Sequence, residues 1–119
     1  MTAVAVHYTL EGSGDGELVV LSGSLGSDLR MWDPQVRALA QAGYRVLRYD
    51  HRGHGQSPAP AGPYTLADLS ADAIELLDRV GARRAHFVGL SLGGMVGMWL
   101  AERAGHLLRS LTLCCTSSG

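Results

Sequence analysis

Residues 85–104 read AHFVGLSLGGMVGMWLAERA, and they carry the strongest indication of the fold class. The run at 85–90 is short and apolar, as in a strand that is covered on both faces of its sheet. The run at 91–104 is apolar nearly all round, which is typical of a helix buried on most sides. The tight sequence GLSLG at 89–93 joins the two. A strand that turns sharply into a buried helix indicates an α/β domain with parallel strands.

The rest of the chain repeats this alternation of short apolar runs and longer amphipathic ones. We therefore predict an α/β fold, a mostly parallel sheet with helices on both faces. Its strands are expected at 3–10, 17–22, 44–49, 85–90 and 110–116. The predicted turn at 11–16 and the proline-rich loop at 50–63 separate these elements.

Residues typical of helix ends support the helices between these strands. Asp33 suits the N-cap of the first helix, and Gly43 suits the left-handed position past its end. Thr65 suits the N-cap of the second helix, with Asp68 three residues on, and Gly81 closes that helix. The third helix is the buried one at 91–104.

The composition excludes several classes of function. The chain has 119 residues, 46% of them hydrophobic and 18% charged, so it can bury one core and is not a disordered polyelectrolyte. Its net charge of −1 leaves no basic surface that would hold nucleic acid or an anionic membrane. No apolar run approaches the roughly 20 residues of a membrane span, and the N-terminus does not read as a secretory signal.

The cysteines and histidines give no sign of a metal or a cofactor. Cys114 and Cys115 are adjacent in the last predicted strand, where neighbouring side chains point to opposite faces and do not bond to each other. We expect both to be small core residues in a reducing, cytoplasmic compartment. No CxxC or HxxxH spacing predicts a metal site, and we expect no cofactor.

The GLSLG turn also carries the chemistry. It is a G-x-S-x-G sequence in the strand–turn–helix setting that exposes a nucleophilic serine. Gly89 and Gly93 are expected to be small because side chains there would clash, and Ser91 is expected in strained backbone geometry. The following helix brings N–H groups and a positive dipole end beside it. We predict that Ser91 is a catalytic nucleophile. The alternative is a tight glycine turn that carries a serine by chance.

A second loop, SGSLG at 22–26, follows the first buried strand. A loop at this place supplies the second donor of an oxyanion hole when a nucleophilic turn is present. We predict that the backbone N–H groups of Ser24 and Leu92 form that hole. The alternative is a glycine-rich loop with no role. A phosphate loop is not favoured, because the chain has no lysine.

The segment DHRGHGQS at 50–57 holds two histidines, yet we predict a structural role for it. The chain order that goes with this turn is serine, then acid, then histidine, and both His51 and His54 precede the serine. Asp50 and Arg52 are expected to fix the loop.

Four stretches together resemble the α/β-hydrolase superfamily: SGSLGSDLRMWDPQ at 22–35, YDHRGHGQSP at 49–58, GPYTLADL at 62–69 and HFVGLSLGGMVG at 86–97. Within it the chain is most similar to the 3-oxoadipate enol-lactonases of the β-ketoadipate pathway, because Ser22-Gly23 stands where most relatives have His-Gly and RMWDP follows. The resemblance implies hydrolysis of a small-molecule ester or lactone, 3-oxoadipate enol-lactone, in aromatic catabolism and without a cofactor.

The chain departs from that family after residue 116, where full members continue with a helical cap, further strands, an acid and a catalytic histidine. The one histidine after the serine is His106, predicted near the end of the buried helix, and Glu102 lies on the same helix. We therefore expect residues 1–119 to be the N-terminal part of one α/β-hydrolase core domain, ending at about the sixth strand. Such a part lacks the cap and the triad's acid and histidine, and we expect it to be inactive alone.

Two classes of function stay open. The first is a serine hydrolase, with enol-lactonase specificity or an esterase- or haloperoxidase-like one, completed by residues elsewhere. The second is a non-catalytic α/β module that binds an ester-like ligand or serves as a scaffold. In either case the strand edge at 110–116 predicts self-association or pairing with a complementary C-terminal segment. Arg30 is a candidate for contact with an anionic substrate, and the simpler interpretation is a solvated surface arginine.

Overall fold

Five strands lie in one sheet in the computed structural model, which describes residues 3–12 and 14–114. The strand order is β1-β3-β2-β4-β5. Strand β1 pairs antiparallel with β3, and the other three pairings are parallel. The strands are β1 Tyr8–Gly12, β2 Leu18–Ser22, β3 Arg45–Tyr49, β4 Ala85–Leu90 and β5 Leu108–Cys114.

Helices cover both faces of the sheet, which confirms the predicted fold class. Helix α1 (Asp33–Gln41) packs on one face, and helices α2 (Leu66–Arg79) and α3 (Leu92–Arg103) pack on the other. Alternate residues of the strands supply the two cores, since successive side chains of a strand point to opposite faces. The core under α1 contains Val19, Leu21, Trp32, Val36 and Val46. The core under α2 and α3 includes Val20, Leu47, Phe87, Leu76, Val96 and Leu100.

Several local predictions are confirmed. Strands β2, β3 and β4 lie where the apolar runs predict them. The capping box at the start of α2 is present, with the Asp68 N–H donating to Thr65 Oγ1 at 3.1 Å and the Thr65 N–H donating to the Asp68 carboxylate at 3.0 Å. Gly43 and Gly81 have positive φ values of 96° and 76° directly after their helices, as the sequence predicts.

The predicted N-cap of α1 is wrong. Trp32 occupies that position without a side-chain cap, and Asp33 is the first residue of the helix. The reason is a short 3₁₀ helix, Leu29–Trp32, which is capped by Asp28 and runs directly into α1. The Asp33 carboxylate instead forms an ion pair with Arg48 of β3.

The first strand is shorter than predicted and begins later in the chain. The sequence predicts a strand at 3–10, whereas β1 covers Tyr8–Gly12. The residues before it are held by side chains instead. The Val4 N–H donates to Asp72 Oδ1 at 2.8 Å, and the His7 N–H donates to Ser57 Oγ at 2.8 Å. These bonds replace the ladder hydrogen bonds that an edge strand would make.

The C-terminal elements also differ from their predicted bounds. His106 does not lie on the buried helix, because α3 ends at Arg103 and His106 is exposed in a 3₁₀ turn, Gly105–Leu107. Strand β5 begins two residues earlier than predicted, and it is the fifth strand where we expected about six. Cys114 is half-buried, and Cys115 and Thr116 lie outside the described residues. Within the ranges 3–12 and 14–114, no helix is long and apolar enough to cross a membrane.

A buried ion pair joins the loop after β3 to helix α2. The Arg52 guanidinium donates to both carboxylate oxygens of Asp72, at 2.7 and 2.8 Å, and each residue is at most 2% exposed. The carboxylate beside it raises the pKa of Arg52. Removing one partner of such a pair is costly because it leaves an uncompensated charge in the interior.

We expect Asp72→Asn to lower the free energy of unfolding by about 3–5 kcal/mol, because it leaves the Arg52 charge buried without a counter-charge. The measurement is urea unfolding followed by circular dichroism. Glu75→Gln is the matched control, since the Glu75–Arg79 pair on the same helix is exposed and is worth only about 0.3–0.5 kcal/mol. Equal losses of unfolding free energy in the two variants would contradict the stabilising role of the buried Arg52–Asp72 pair.

Candidate active site

Ser91 lies at the junction of β4 and α3 in a backbone conformation that non-glycine residues avoid. Its φ is 56° and its ψ is −112°, and no other non-glycine residue in the described part of the chain has a positive φ. Such a conformation costs about 1–3 kcal/mol and persists only where the surroundings impose it. Here the Ser91 N–H donates to the Cys114 carbonyl at 3.0 Å, and the Ser91 carbonyl accepts from the Met95 N–H at 3.2 Å.

The two glycines of the turn allow backbone to approach backbone. A Cβ atom added to Gly93 would overlap the carbonyl oxygen of Ser22, and one added to Gly89 would overlap the backbone of Gly93. Strand β4 and helix α3 can therefore form this sharp turn against β2 only where both positions lack a side chain. The steric reason that the sequence suggests for these glycines thus agrees with their contacts.

The end of β2 and the start of α3 are joined by a hydrogen bond. The Gly93 N–H donates to the Gly23 carbonyl oxygen at 3.0 Å, and Ser22 is paired in register with Gly89. Each predicted oxyanion donor is thus one residue away from this bond, Leu92 next to Gly93 and Ser24 next to Gly23. The Leu92 N–H belongs to the first turn of α3, where N–H groups have no acceptor within the helix. The roles of Ser24, Leu92 and Ser91 remain predictions.

Buried polar side chains lie next to the loop after β2, and the sequence analysis did not predict their contacts. The Ser22 Oγ and the Tyr49 hydroxyl are hydrogen-bonded at 2.8 Å in the interior, and burial raises the pKa of Tyr49. The His51 ring is buried, with its Nε2 2.9 Å from the Gly23 carbonyl oxygen. The one signal in the sequence is that His51 lies two residues after the end of a predicted strand; that this strand, β3, neighbours β2 is seen only in the structure.

Asp50 fixes the loop after β3, as predicted. Its Oδ1 accepts from the Leu29 N–H at 2.6 Å and its Oδ2 from the Gln56 N–H at 2.9 Å. A Cβ atom on Gly55 would overlap this carboxylate. Together with the Arg52–Asp72 pair, Asp50 holds the segment rigidly, so the structural role predicted for the Asp50 and Arg52 side chains is confirmed.

The remaining candidates do not join the site as bases or substrate ligands. Arg30 has a side chain that is 81% exposed and pairs with Asp28, which fits a solvated surface arginine. His54 binds the Arg52 carbonyl within its own loop, and His106 is exposed in the turn after α3. The described residues therefore offer a serine at a strained turn, with the two loop histidines engaged in contacts of their own.

The sequence matches the family described as alpha/beta hydrolase fold over residues 6–119. The chain belongs to that family, which confirms the predicted resemblance. It is 48% identical over 98 residues to RutD of Variovorax paradoxus, which is named as a carbamate hydrolase, and 45% identical over 98 residues to 3-oxoadipate enol-lactonase 2 of Acinetobacter baylyi. These matches cover 81% and 82% of this chain and 36% of each relative.

Solved structures show the same fold. A hydrolase from Pseudomonas aeruginosa superposes with a TM-score of 0.92 at 53% identity, over 95% of this chain and 42% of that one. The enol-lactonase from Burkholderia xenovorans superposes with a TM-score of 0.91 at 48% identity, over 94% of this chain and 44% of that one. The chain thus spans less than half the length of the proteins that it matches.

We expect Gly93→Ala to destabilise the fold by at least about 1–3 kcal/mol, because the new methyl group meets the rigid backbone of Ser22. Urea unfolding measures the change. Gly105→Ala is the control, since nothing lies within 4 Å of its added Cβ, and it should stay within about 0.5 kcal/mol of wild type. A tolerated alanine at position 93 would mean that α3 does not approach β2 this closely.

Burial lowers the pKa of His51 below its ordinary value of 6.5, with a smaller effect of the same sign from His54. As the pH falls below 6.5, the unfolded chain takes up a proton that the folded chain does not, so the free energy of unfolding falls by up to about 1.4 kcal/mol per pH unit. Urea unfolding between pH 7 and pH 5 measures this loss. His51→Gln should remove that part of the pH dependence, and an unchanged slope in the variant would contradict it.

Proposed function

We propose that the protein is a serine hydrolase of carboxylic ester or lactone bonds in which Ser91 is the nucleophile. The observation that carries the proposal is the conformation of Ser91, a strained serine between two glycines at the start of a helix. Strain of this kind is retained where function requires it. Membership of the α/β-hydrolase family supports the same chemistry, because this fold places its nucleophile at such a turn.

The reaction follows from these residues. Ser91 Oγ attacks the carbonyl carbon of the substrate and forms a tetrahedral intermediate, while a general base removes the hydroxyl proton. The N–H groups of Ser24 and Leu92 receive the negative charge that develops on the carbonyl oxygen. The intermediate collapses to an acyl-enzyme, and water then releases the acid. The dipole of α3, whose first turn carries no acidic side chain, favours the anionic intermediate.

The general base is expected to come from residues beyond those described. His51 binds the Gly23 carbonyl through Nε2, which commits that nitrogen to the loop. A serine hydroxyl without a base is a poor nucleophile at neutral pH, so the base governs the rate. We propose that a histidine and an acid that follow this region complete the site, and that the outer edge of β5 pairs with that further chain or with a second copy.

The substrate class is proposed from the relatives. The Acinetobacter baylyi and Burkholderia xenovorans relatives are named as enol-lactonases, which favours 3-oxoadipate enol-lactone. Opening this lactone releases an enol that becomes a ketone, so the leaving group needs little protonation. The second candidate is a carbamate, which the name of the Variovorax paradoxus relative favours. An amine leaving group does require a proton from the base. We also propose a cytoplasmic location.

Labelling with a fluorophosphonate probe tests the nucleophile. The chain is treated alone and after fusion to the C-terminal remainder of the Burkholderia xenovorans enol-lactonase, and the modified residue is located by mass spectrometry. We expect labelling of Ser91 in the fusion, slower labelling of the chain alone by orders of magnitude, and none in Ser91→Ala.

Ser110→Ala is the matched control, because the side chain of this exposed serine of β5 contacts His86 and its loss should leave labelling unchanged. If the fusion folds, as judged by circular dichroism, and Ser91 is still unlabelled, the protein is a non-catalytic α/β module and the proposed hydrolysis is wrong.

A further inference from the structure

One carbonyl oxygen, that of Gly23, accepts two hydrogen bonds at the edge of the candidate active site. The Gly93 N–H lies 3.0 Å from it and His51 Nε2 lies 2.9 Å from it. A backbone carbonyl has two lone pairs, so these two donors use its full capacity. The carbonyl is therefore fixed both by the start of α3 and by the loop after β3.

The tautomer of His51 follows from this contact. A carbonyl oxygen can only accept, so Nε2 must carry the hydrogen. The other ring nitrogen, Nδ1, is buried, and no group in the described part of the chain hydrogen-bonds to it. A second proton there would be a buried donor without an acceptor, which is unfavourable. Burial is the main cause that lowers the pKa of His51, and it outweighs the hydrogen bond to Gly23, which raises that pKa, so the neutral ring is favoured.

We propose that His51 is a positioning residue for the oxyanion hole, acting through the peptide unit that joins Gly23 to Ser24. In a planar trans peptide the C=O and the N–H point in opposite directions. Fixing the Gly23 carbonyl between α3 and His51 therefore also fixes the direction of the Ser24 N–H. This inference rests on the proposed function, in which that N–H is one of the two oxyanion donors.

The hydrogen bond from His51 also has an electronic effect. Donors on a carbonyl polarise the whole amide, which makes its N–H a stronger donor in turn. Two donors on Gly23 should thus strengthen the bond from Ser24 to a developing oxyanion as well as aim it. An oxyanion donor acts mainly in the transition state. A stronger donor should therefore raise the rate constant of the chemical step and leave the affinity for substrate unchanged.

The ring of His51 is itself held in place. It meets the Tyr49 ring edge-on, with centroids 5.3 Å apart, and the His54 ring edge-on at 5.8 Å. The charged groups that influence it are the carboxylates of Asp50 and Asp72, both of which are engaged in other bonds. A side chain locked in this way can maintain the geometry of a backbone donor through the reaction.

Three variants separate positioning from simple packing. His51→Phe fills the same space without a donor. His51→Gln keeps a donor, because its amide nitrogen is as many bonds from Cβ as Nε2 of histidine is. His54→Phe is the matched control, since it alters the neighbouring ring and leaves the bond to Gly23 intact. If His51→Phe does not fold, His51→Met replaces it as the variant without a donor.

The first readout is fluorophosphonate labelling of Ser91 in the fusion, analysed as the inactivation rate constant and the apparent binding constant. We expect the variant without a donor to lose about 10- to 100-fold in the rate constant, with little change in the binding constant. Outright loss of a donor costs about 10²–10³-fold. His51→Gln and His54→Phe should stay within about threefold of wild type. Equal losses in Phe and Gln, or no loss in either, would overturn the proposal.

The second readout does not require activity and is made on the chain itself. In a nitrogen–proton correlation spectrum, the Ser24 amide signal should move in His51→Phe and stay near its wild-type position in His51→Gln and His54→Phe. An unmoved signal in His51→Phe refutes the role of His51. If Ser91 stays unlabelled in the folded wild-type fusion while the Ser24 shifts are as expected, the hydrolase function is refuted and the structural contact is kept, so the two failures are distinct.

Discussion

The close approach of helix α3 to the end of strand β2 is the constraint on which the site depends. The Gly93 N–H reaches the Gly23 carbonyl only because position 93 has no side chain to meet Ser22. The same turn needs a glycine at position 89, where backbone again meets backbone. Ser91 lies between these two contacts, and its strained φ of 56° is the consequence of turning from strand to helix within so few residues.

The loops around the turn supply the rigidity that such strain requires. Asp50 ties the loop after β3 to the 3₁₀ helix before α1, and the buried Arg52–Asp72 pair ties the same loop to α2. His51, between these two anchors, reaches the loop after β2. Three segments that are far apart in sequence are thus joined at one edge of the sheet. This edge is where open α/β sheets hold their ligands.

The parts of the fold that the sequence predicted well depend on local interactions. The capping box of Thr65 and Asp68 involves residues three apart, and the left-handed glycines at 43 and 81 satisfy the last turns of their own helices. The apolar runs of β2 and β4 predict strands covered on both faces, and this prediction does not depend on which elements cover them. Prediction failed at the start of β1, where distant groups decided the outcome. The start of β1 moved because the amides of Val4 and His7 bond to side chains 68 and 50 residues away.

The sequence alone was enough to predict the family, through four stretches that resemble it, and the need for small residues beside Ser91, through the sterics of a short turn. The contacts of His51 and Tyr49 became apparent only from the folded structure. Their partners, Gly23 and Ser22, lie 28 and 27 residues away and become neighbours because β2 and β3 are adjacent and parallel. Such contacts follow from strand order, which side-chain patterns along the chain do not specify.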